Sequence, residues 1–215
     1  MSVAILASLE LRWFDRGPLP VQVREWFDTL PRPKGTTPLP ERRTDVYLPT
    51  PGAKNLSVKL SRGSLETKLQ LDASDSRSAS GRIHGVSERW IKWSWKYDDA
   101  AHTGVYRAFA AEQRGDWIEL EKARGQRKFR VVNGAPEPII ANARVELGYA
   151  IEVVDGLYRG ARWWSVGVDA FAPDDTRIHG MLGDAVRLME SSFPLTLARE
   201  NSMSYPTWVE RLTSA

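Results

Sequence analysis

Charged residues recur at every second position in several short segments, and this period of two constrains the fold more than any other feature. The segment Ser8-Leu9-Glu10-Leu11-Arg12 alternates polar with apolar side chains. Such alternation places successive side chains on opposite faces of an extended strand. The same spacing gives the pairs Glu10/Arg12, Arg43/Asp45, Glu66/Lys68 and Glu119/Glu121. The sequence therefore predicts a mainly β protein whose strands have one charged and one apolar face.

Turn residues divide the chain into about eight strands and two or three helices. The predicted strands are 8–14, 43–48, 56–60, 64–71, 89–95, 117–124, 127–132, 143–154 and 161–171. Helices are predicted over 19–30, 103–114 and from Asp174 onward, and the serine-rich stretch 72–85 is predicted to be a mobile loop. Because strands do not alternate with crossover helices, residues 1–215 are expected to form one domain of α+β class, mainly β. We expect a closed or nearly closed antiparallel barrel with covering helices; the alternative is a half-open sheet.

Composition excludes several functional classes. The chain has no cysteine and three scattered histidines, so disulfide scaffolds and thiolate or histidine zinc sites are disfavoured. The net charge of +3 is too small for the whole surface to attract nucleic acid, and no specific nucleic-acid partner is expected. The apolar start, residues 3–9, is too short for an export signal or a membrane span. A cytoplasmic protein without a membrane partner is expected.

The charged strand faces have two interpretations. In a sandwich they would be solvated. In a barrel with few covering helices they would line the lumen, where cations need anionic partners because burial removes their hydration. Carboxylates of the protein could neutralise part of this positive charge, and a phosphate chain with a divalent cation could neutralise the rest. The nine tryptophans, including Trp90 and Trp163, are expected to form an outer girdle under the helices, and Glu119 and Glu121 a solvated face.

The order of these motifs resembles the CYTH, or triphosphate tunnel, superfamily across nearly the whole chain. The opening segment 8–12 is similar to the family's Glu-x-Glu-x-Lys strand, with Ser8 in place of the first Glu and Arg12 in place of Lys. Asp45-Val46-Tyr47 is similar to its Asp-x-Tyr strand. Further similarity is carried by Lys59, Thr67-Lys68, Lys122-Ala123-Arg124, Arg127 and Ser204-Tyr205. The closing Glu-x-Glu strand is represented by residues 165–169, in which Asp169 alone is acidic.

This resemblance implies a barrel that binds linear polyphosphates and often cleaves them with a metal ion. The implied phosphate contacts are Arg12, Arg43, Lys59, Lys68, Lys122, Arg124 and Arg127. The implied ligands of Mg²⁺ or Mn²⁺ are Glu10, Glu146 and Asp169, with Glu152 on the same strand as Glu146. Two of the family's four metal-binding carboxylates are missing. From the residues alone, Arg43, Lys59 and Arg130 are expected to pair with neighbouring carboxylates.

Three functional hypotheses stay open at this point. The first is a metal-dependent phosphohydrolase of triphosphate, polyphosphate or a nucleoside triphosphate. The second is a non-catalytic barrel that binds a phosphate-rich small molecule, and the third is a protein-interaction barrel whose lumen is filled by internal ion pairs. Strand parity also poses a conflict, because Lys122 and Arg124 facing inward would carry Ile118 and Leu120 inward unless a bulge intervenes. The oligomeric state is not predicted.

Overall fold

The computed structural model describes residues 3–36, 40–96 and 117–214. Its strands are β1 (Val3–Arg16), β2 (Glu41–Leu48), β3 (Leu56–Ser61), β4 (Ser64–Arg77), β5 (His84–Lys96), β6 (Ile118–Val132), β7 (Ala135–Ile139), β8 (Gly148–Tyr158) and β9 (Ala161–Phe171). The helices in these ranges are α1 (Val21–Thr29), α2 (Asp175–Glu190) and α3 (Tyr205–Thr213), with a 3₁₀ turn at Arg199–Asn201. None of the described helices has the length and apolarity needed to cross a membrane.

Eight strands close into an antiparallel barrel. Their order is β2-β3-β4-β5-β1-β9-β8-β6, and β2 pairs with β6 to complete the circle. Strand β7 is an additional strand that pairs with the C-terminal part of β6, residues 128–132. Closure joins β2 and β6, which would be the two edge strands of an open eight-stranded sheet. The predicted class, mainly β with an antiparallel barrel and helical covers, is confirmed.

The outward faces of β1, β8 and β9 form the main hydrophobic core together with α1 and α2. Leu11, Ile151 and Val168 lie at 0–1% exposure on these strands, and Ile178 and Met189 reach the same core from α2. Helix α2 begins where predicted, because the Asp174 carboxylate accepts the backbone N–H of Arg177 at 2.9 Å. Apolar outer faces are thus covered by helices, which leaves the opposite, charged faces to line the lumen.

A second apolar cluster fills one end of the lumen and resolves the parity conflict. Ile118 and Leu120 do face inward, and the register of β6 with β2 and β8 runs without a shift. Helix α3 closes this end, with Trp208 stacked on Phe14 at a ring-centroid distance of 5.1 Å. The lumen therefore has an apolar, closed end, and the charged side chains begin beyond it.

Three element predictions are wrong. Residues 72–77 continue β4 and pair with β5 instead of forming a mobile loop, because an exposed strand at the barrel rim needs no apolar side chains. Residues 118–132 form one strand instead of a hairpin. The strand predicted over 143–154 lies instead at Gly148–Tyr158, because the β8–β9 turn lies at Arg159-Gly160, whose positive φ angles (48° and 83°) suit a tight turn. The helix predicted over 103–114 lies outside the described residues.

The tryptophan girdle is only partly as expected. Trp13, Trp26 and Trp164 belong to the core under the helices. Trp90 instead lines the lumen, and Trp163 belongs to its apolar end. Both side chains lie at inward-facing positions of their strands, so they line the interior of the barrel.

Candidate functional site

The charged part of the lumen is the largest concentration of buried ionic groups in the described chain. It contains a cavity of about 130 Å³ that opens to solvent. Its eight cations are Arg12, Arg43, Lys59, Arg62, Lys68, Lys92, Lys122 and Arg124, and its five carboxylates are Glu10, Glu66, Glu88, Glu152 and Asp169. Asp45 behind the lining and Glu41 at the rim reduce the formal excess of three positive charges to one. The lumen stays net positive.

Asp45 organises the inner part of this lining. Its side chain is fully buried and accepts hydrogen bonds from Lys122 Nζ at 2.9 Å, Arg43 Nη2 at 3.2 Å and Ser61 Oγ at 2.5 Å. Lys59 Nζ lies 3.7 Å away. Burial alone would raise the pKa of Asp45, but the surrounding cations lower it far below its usual range. The carboxylate is therefore ionised whenever the barrel is folded.

Lys122 sits at the boundary between the apolar and the charged parts of the lumen. Its ammonium donates to the Tyr47 hydroxyl at 2.8 Å and lies 4.0 Å from the centroid of the Tyr205 ring. Tyr205 is the first residue of α3, so the helix that closes the lumen also supplies a cation–π contact to it. With its side chain 2% exposed, Lys122 is held mainly by these partners and by Asp45.

Arg12, Gly167 and Glu152 form a row across β1, β9 and β8. Gly167 is the register partner of both Arg12 and Glu152. Arg12 extends over this glycine, and its Nη1 lies 2.6 Å from Glu152 Oε1 while Nη2 lies 3.5 Å from Asp169 Oδ1. Glu152 also accepts from Arg124 Nε. Burial opposes ionisation of Glu152, yet the two guanidinium groups keep its pKa well below the usual range.

Replacing Gly167 by alanine is expected to displace Arg12. A Cβ at this position would lie 2.8 Å from Arg12 Cζ, so the guanidinium must shift from its present position against Glu152. We expect Gly167→Ala to lower the free energy of unfolding by about 1–3 kcal/mol in urea titrations. Gly180→Ala, in an open position on α2, is the matched control and is expected to be neutral or stabilising by up to ~1 kcal/mol. Equal effects of both changes would contradict the close packing of Arg12.

Two lysines face each other directly on neighbouring strands of the wall. Lys68 on β4 is the register partner of Lys92 on β5. Lys68 Nζ lies 2.6 Å from Glu10 Oε1, whereas Lys92 Nζ has a longer contact of 3.5 Å with Glu66. Burial lowers the pKa of Lys92, and Glu66 opposes this effect. Like charges placed opposite each other destabilise a sheet, so the carboxylates of Glu10 and Glu66 offset the repulsion of this pair.

Three carboxylates form a row across β5, β1 and β9, next to these lysines. Glu10 on β1 pairs in register with Glu88 on β5 and with Asp169 on β9. Burial and the charge of Glu10 raise the pKa of Glu88 to about 7 and also raise the pKa of Asp169. Burial acts in the same direction on Glu10, but Lys68 and Ser8 outweigh it and lower its pKa. Glu88 is thus partly protonated near neutral pH.

Most of the residues selected from the sequence meet in this lumen. Six of the seven implied phosphate contacts line it: Arg12, Arg43, Lys59, Lys68, Lys122 and Arg124. Arg127 points out of the barrel, since β6 is continuous and Arg127 lies three positions after Arg124, on the opposite face of the strand. The expected pairing with carboxylates is confirmed for Arg43, Lys59 and Arg130, which contact Asp45, Glu66 and Glu137 respectively.

Of the implied metal ligands, Glu10 and Asp169 are adjacent but Glu146 is distant. Glu146 is exposed and precedes β8, which begins at Gly148. Glu152 is the carboxylate that β8 contributes to the lumen. Within residues 3–36, 40–96 and 117–214 no three His, Cys, Asp or Glu side chains are grouped to hold a metal ion. The described residues alone therefore form no preassembled metal centre.

Glu88, Lys92, Glu152 and Tyr205 were not selected from the sequence as site residues. The alternation of Glu88, Trp90 and Lys92 could have indicated the lumen face of β5. No protein-family model and no curated protein matches this chain. The geometry of the lumen is therefore the basis for a functional conclusion.

Proposed function

We propose that the barrel binds a linear phosphate-rich anion, such as triphosphate or polyphosphate, in its lumen, as the resemblance to the CYTH superfamily implies. The observation that carries the proposal is the opposed pair Lys68 and Lys92. Both side chains are 26% exposed on the cavity side, and each contacts a single carboxylate. A phosphate oxygen between them would relieve their repulsion and offset the cost of burying them.

The other cations suit a chain of phosphates rather than a single one. Lys59 lies on the neighbouring strand β3, while Arg43 and Arg124 lie toward the rim beside Glu41. Lysine binds phosphate as a point charge and arginine as a planar fork, so a row of both suits successive phosphate groups. The excess of positive charge also favours a ligand with several negative charges over a neutral one.

A divalent cation is a separate part of the proposal. Glu10 and Asp169 are direct neighbours across β1 and β9, and the charge of Glu10 raises the pKa of Asp169. Mg²⁺ or Mn²⁺ binds through one or two carboxylates completed by phosphate oxygens and water, so these two residues fit an ion that arrives with the ligand. Such an ion would neutralise phosphate oxygens.

Calorimetry with tripolyphosphate tests the proposal. We expect saturable binding, and we expect Lys68→Gln and Lys92→Gln each to weaken it at least about tenfold, or ~1.4 kcal/mol. Lys54→Gln, on an exposed side chain outside the lumen, is the control and is expected to bind like the wild type. Absence of binding by a folded wild-type protein, with or without Mg²⁺ or Mn²⁺, would overturn the proposal. Phosphate release with metal would indicate a hydrolase, and metal-independent binding without release a non-catalytic barrel.

A protein-interaction barrel is the second candidate. Its supporting observation is that all six predicted cations in the lumen have a carboxylate oxygen within 4.0 Å. Ion pairs within the chain therefore neutralise part of the positive charge. This candidate expects no anion binding and no loss of function in the lysine variants. The same calorimetric titration therefore separates the two.

A further inference from the structure

Arg127 is a buried guanidinium that lacks hydrogen-bond partners. The residue is 8% exposed, and neither Nε nor Nη2 has a hydrogen-bond partner. The nearest carboxylate oxygen, Asp28 Oδ1, lies 3.7 Å from Nη2, which is too far for a hydrogen bond. Buried guanidinium donors are normally satisfied, because an unpaired one loses its hydration without compensation. Each of the two nitrogens has less than 1 Å² of accessible surface, so an acceptor from a ligand reaches them only after a small shift of the side chain.

The two free donors lie on one edge of the guanidinium. Nε–H and Nη2–H point in parallel, which is the geometry that binds a carboxylate or phosphate through two oxygens. The Phe27 ring of α1 packs against the flat face, with Arg127 Cζ 4.4 Å from the ring centroid. This contact holds the group in place and keeps it aligned before any ligand arrives.

A second cavity of about 220 Å³ lies beside Arg127. Its walls come from the loop after α1, from β6 and from the end of β7, and Pro31, Pro33 and Ile140 are among its apolar residues. Its charged neighbours besides Arg127 are Arg32, Arg124, Lys128 and Glu41, so the lining has an excess of positive charge. The cavity occupies a gap in the sheet: β6 pairs with β2 up to Arg124 and with β7 from Lys128 onward. Among the described strands, none pairs with residues 125–127 on that edge.

We propose that this cavity is a second anion site, outside the lumen, that takes an oxyanion, a carboxylate or a phosphate group, on the free edge of Arg127. Arg32 adds positive charge at the mouth, whereas Asp28, half exposed, lies to one side. The apolar walls suit a ligand whose oxyanion is attached to a small apolar body. Arg124 borders both this cavity and the lumen, whereas Arg127 faces away from the lumen, so the contact with Arg127 is tested apart from the proposed function.

Side-chain NMR with inorganic phosphate and with acetate tests this site. We expect the Nε–H resonance of Arg127, assigned by its loss in Arg127→Met, to shift saturably with at least one of the two anions. The larger response identifies phosphate or carboxylate as the preferred group. The same shift in Lys92→Gln would keep the result distinct from binding in the lumen. A resonance that moves only linearly, like that of exposed Arg130, would overturn the proposal.

Thermal unfolding gives an independent readout. In anion-free buffer Arg127→Met is expected to raise the unfolding midpoint, since it replaces an unsatisfied buried cation with an apolar side chain of similar length. Arg130→Met, on the same strand but 56% exposed and paired with Glu137, is the matched control and is expected to change the midpoint little. A lower midpoint for Arg127→Met would show that the guanidinium is satisfied within the protein and would overturn the proposal.

Discussion

Replacing Asp45 by asparagine is expected to cause the largest loss of stability of any single change in the lumen. The substitution keeps the shape of the side chain and removes the negative charge that Lys122, Lys59 and Arg43 share. Removing one partner of a buried ion pair leaves uncompensated charge and typically lowers the free energy of unfolding by about 3–5 kcal/mol. Urea titration monitored by tryptophan fluorescence would measure this loss.

The matched control is Glu137→Gln, which breaks the exposed contact between Glu137 and Arg130. We expect a change of about 0–1 kcal/mol there, because solvent screens surface ion pairs. Ser61→Ala removes one neutral donor to Asp45 and should cost about 1 kcal/mol. A loss below ~1 kcal/mol for Asp45→Asn would mean that the three cations have other partners and that Asp45 does not hold the lining together.

Glu88 is expected to make stability depend on pH between about 5 and 8. Its pKa is about 7 in the folded barrel and 4.5 for an ordinary glutamate, so the folded state binds the proton more tightly. The stabilisation is complete below the ordinary value and is lost as the pH rises through 7. A difference of this size corresponds to at most about 3 kcal/mol. Glu88→Gln removes this contribution, so its stability should fall less than that of the wild type over the same range.

Urea titrations of both proteins at several pH values would measure the difference. Asp169, whose pKa is also raised, contributes in the same direction in both proteins. Asp45, Glu66 and Glu152 have lowered pKa values, so their stabilisation is lost only as the pH falls below the ordinary carboxylate range. Parallel stability curves for wild type and Glu88→Gln between pH 5 and 8 would contradict the raised pKa.

The period of two predicted the barrel strands and the charged faces of β1, β2 and β4, because strand parity decides which side chains share a face. Lys59, Lys122, Arg124 and Arg127 were implied by the resemblance. Arg127 differs from the other three, because the hairpin expected between residues 124 and 127 would have reversed its orientation. With β6 continuous through Gly125, Arg127 takes the outward parity and packs on Phe27 of α1. The turn that was wrongly predicted placed Arg127 on the inner face of the sheet, whereas it lies on the outer face.

The carboxylates were harder to predict than the cations. Strand β8 is buried on both faces, so its apolar residues occupy both inward and outward positions. The sequence around Glu152 therefore shows no polar–apolar alternation. Asp45 was noted only as part of a motif, and its position at the centre of three cations follows from β2, β3 and β6 closing the barrel. Such long-range neighbours cannot be derived from spacing within one strand.

Helix α3 limits how a polymeric ligand can enter the lumen. It stacks Trp208 on Phe14 and places Tyr205 beneath Lys122, so among the described residues this end of the channel is closed. A long polyphosphate that occupies the lumen can insert only a terminus and cannot thread through. The number of protein molecules bound should then scale with the number of chain ends and not with the total mass of polymer.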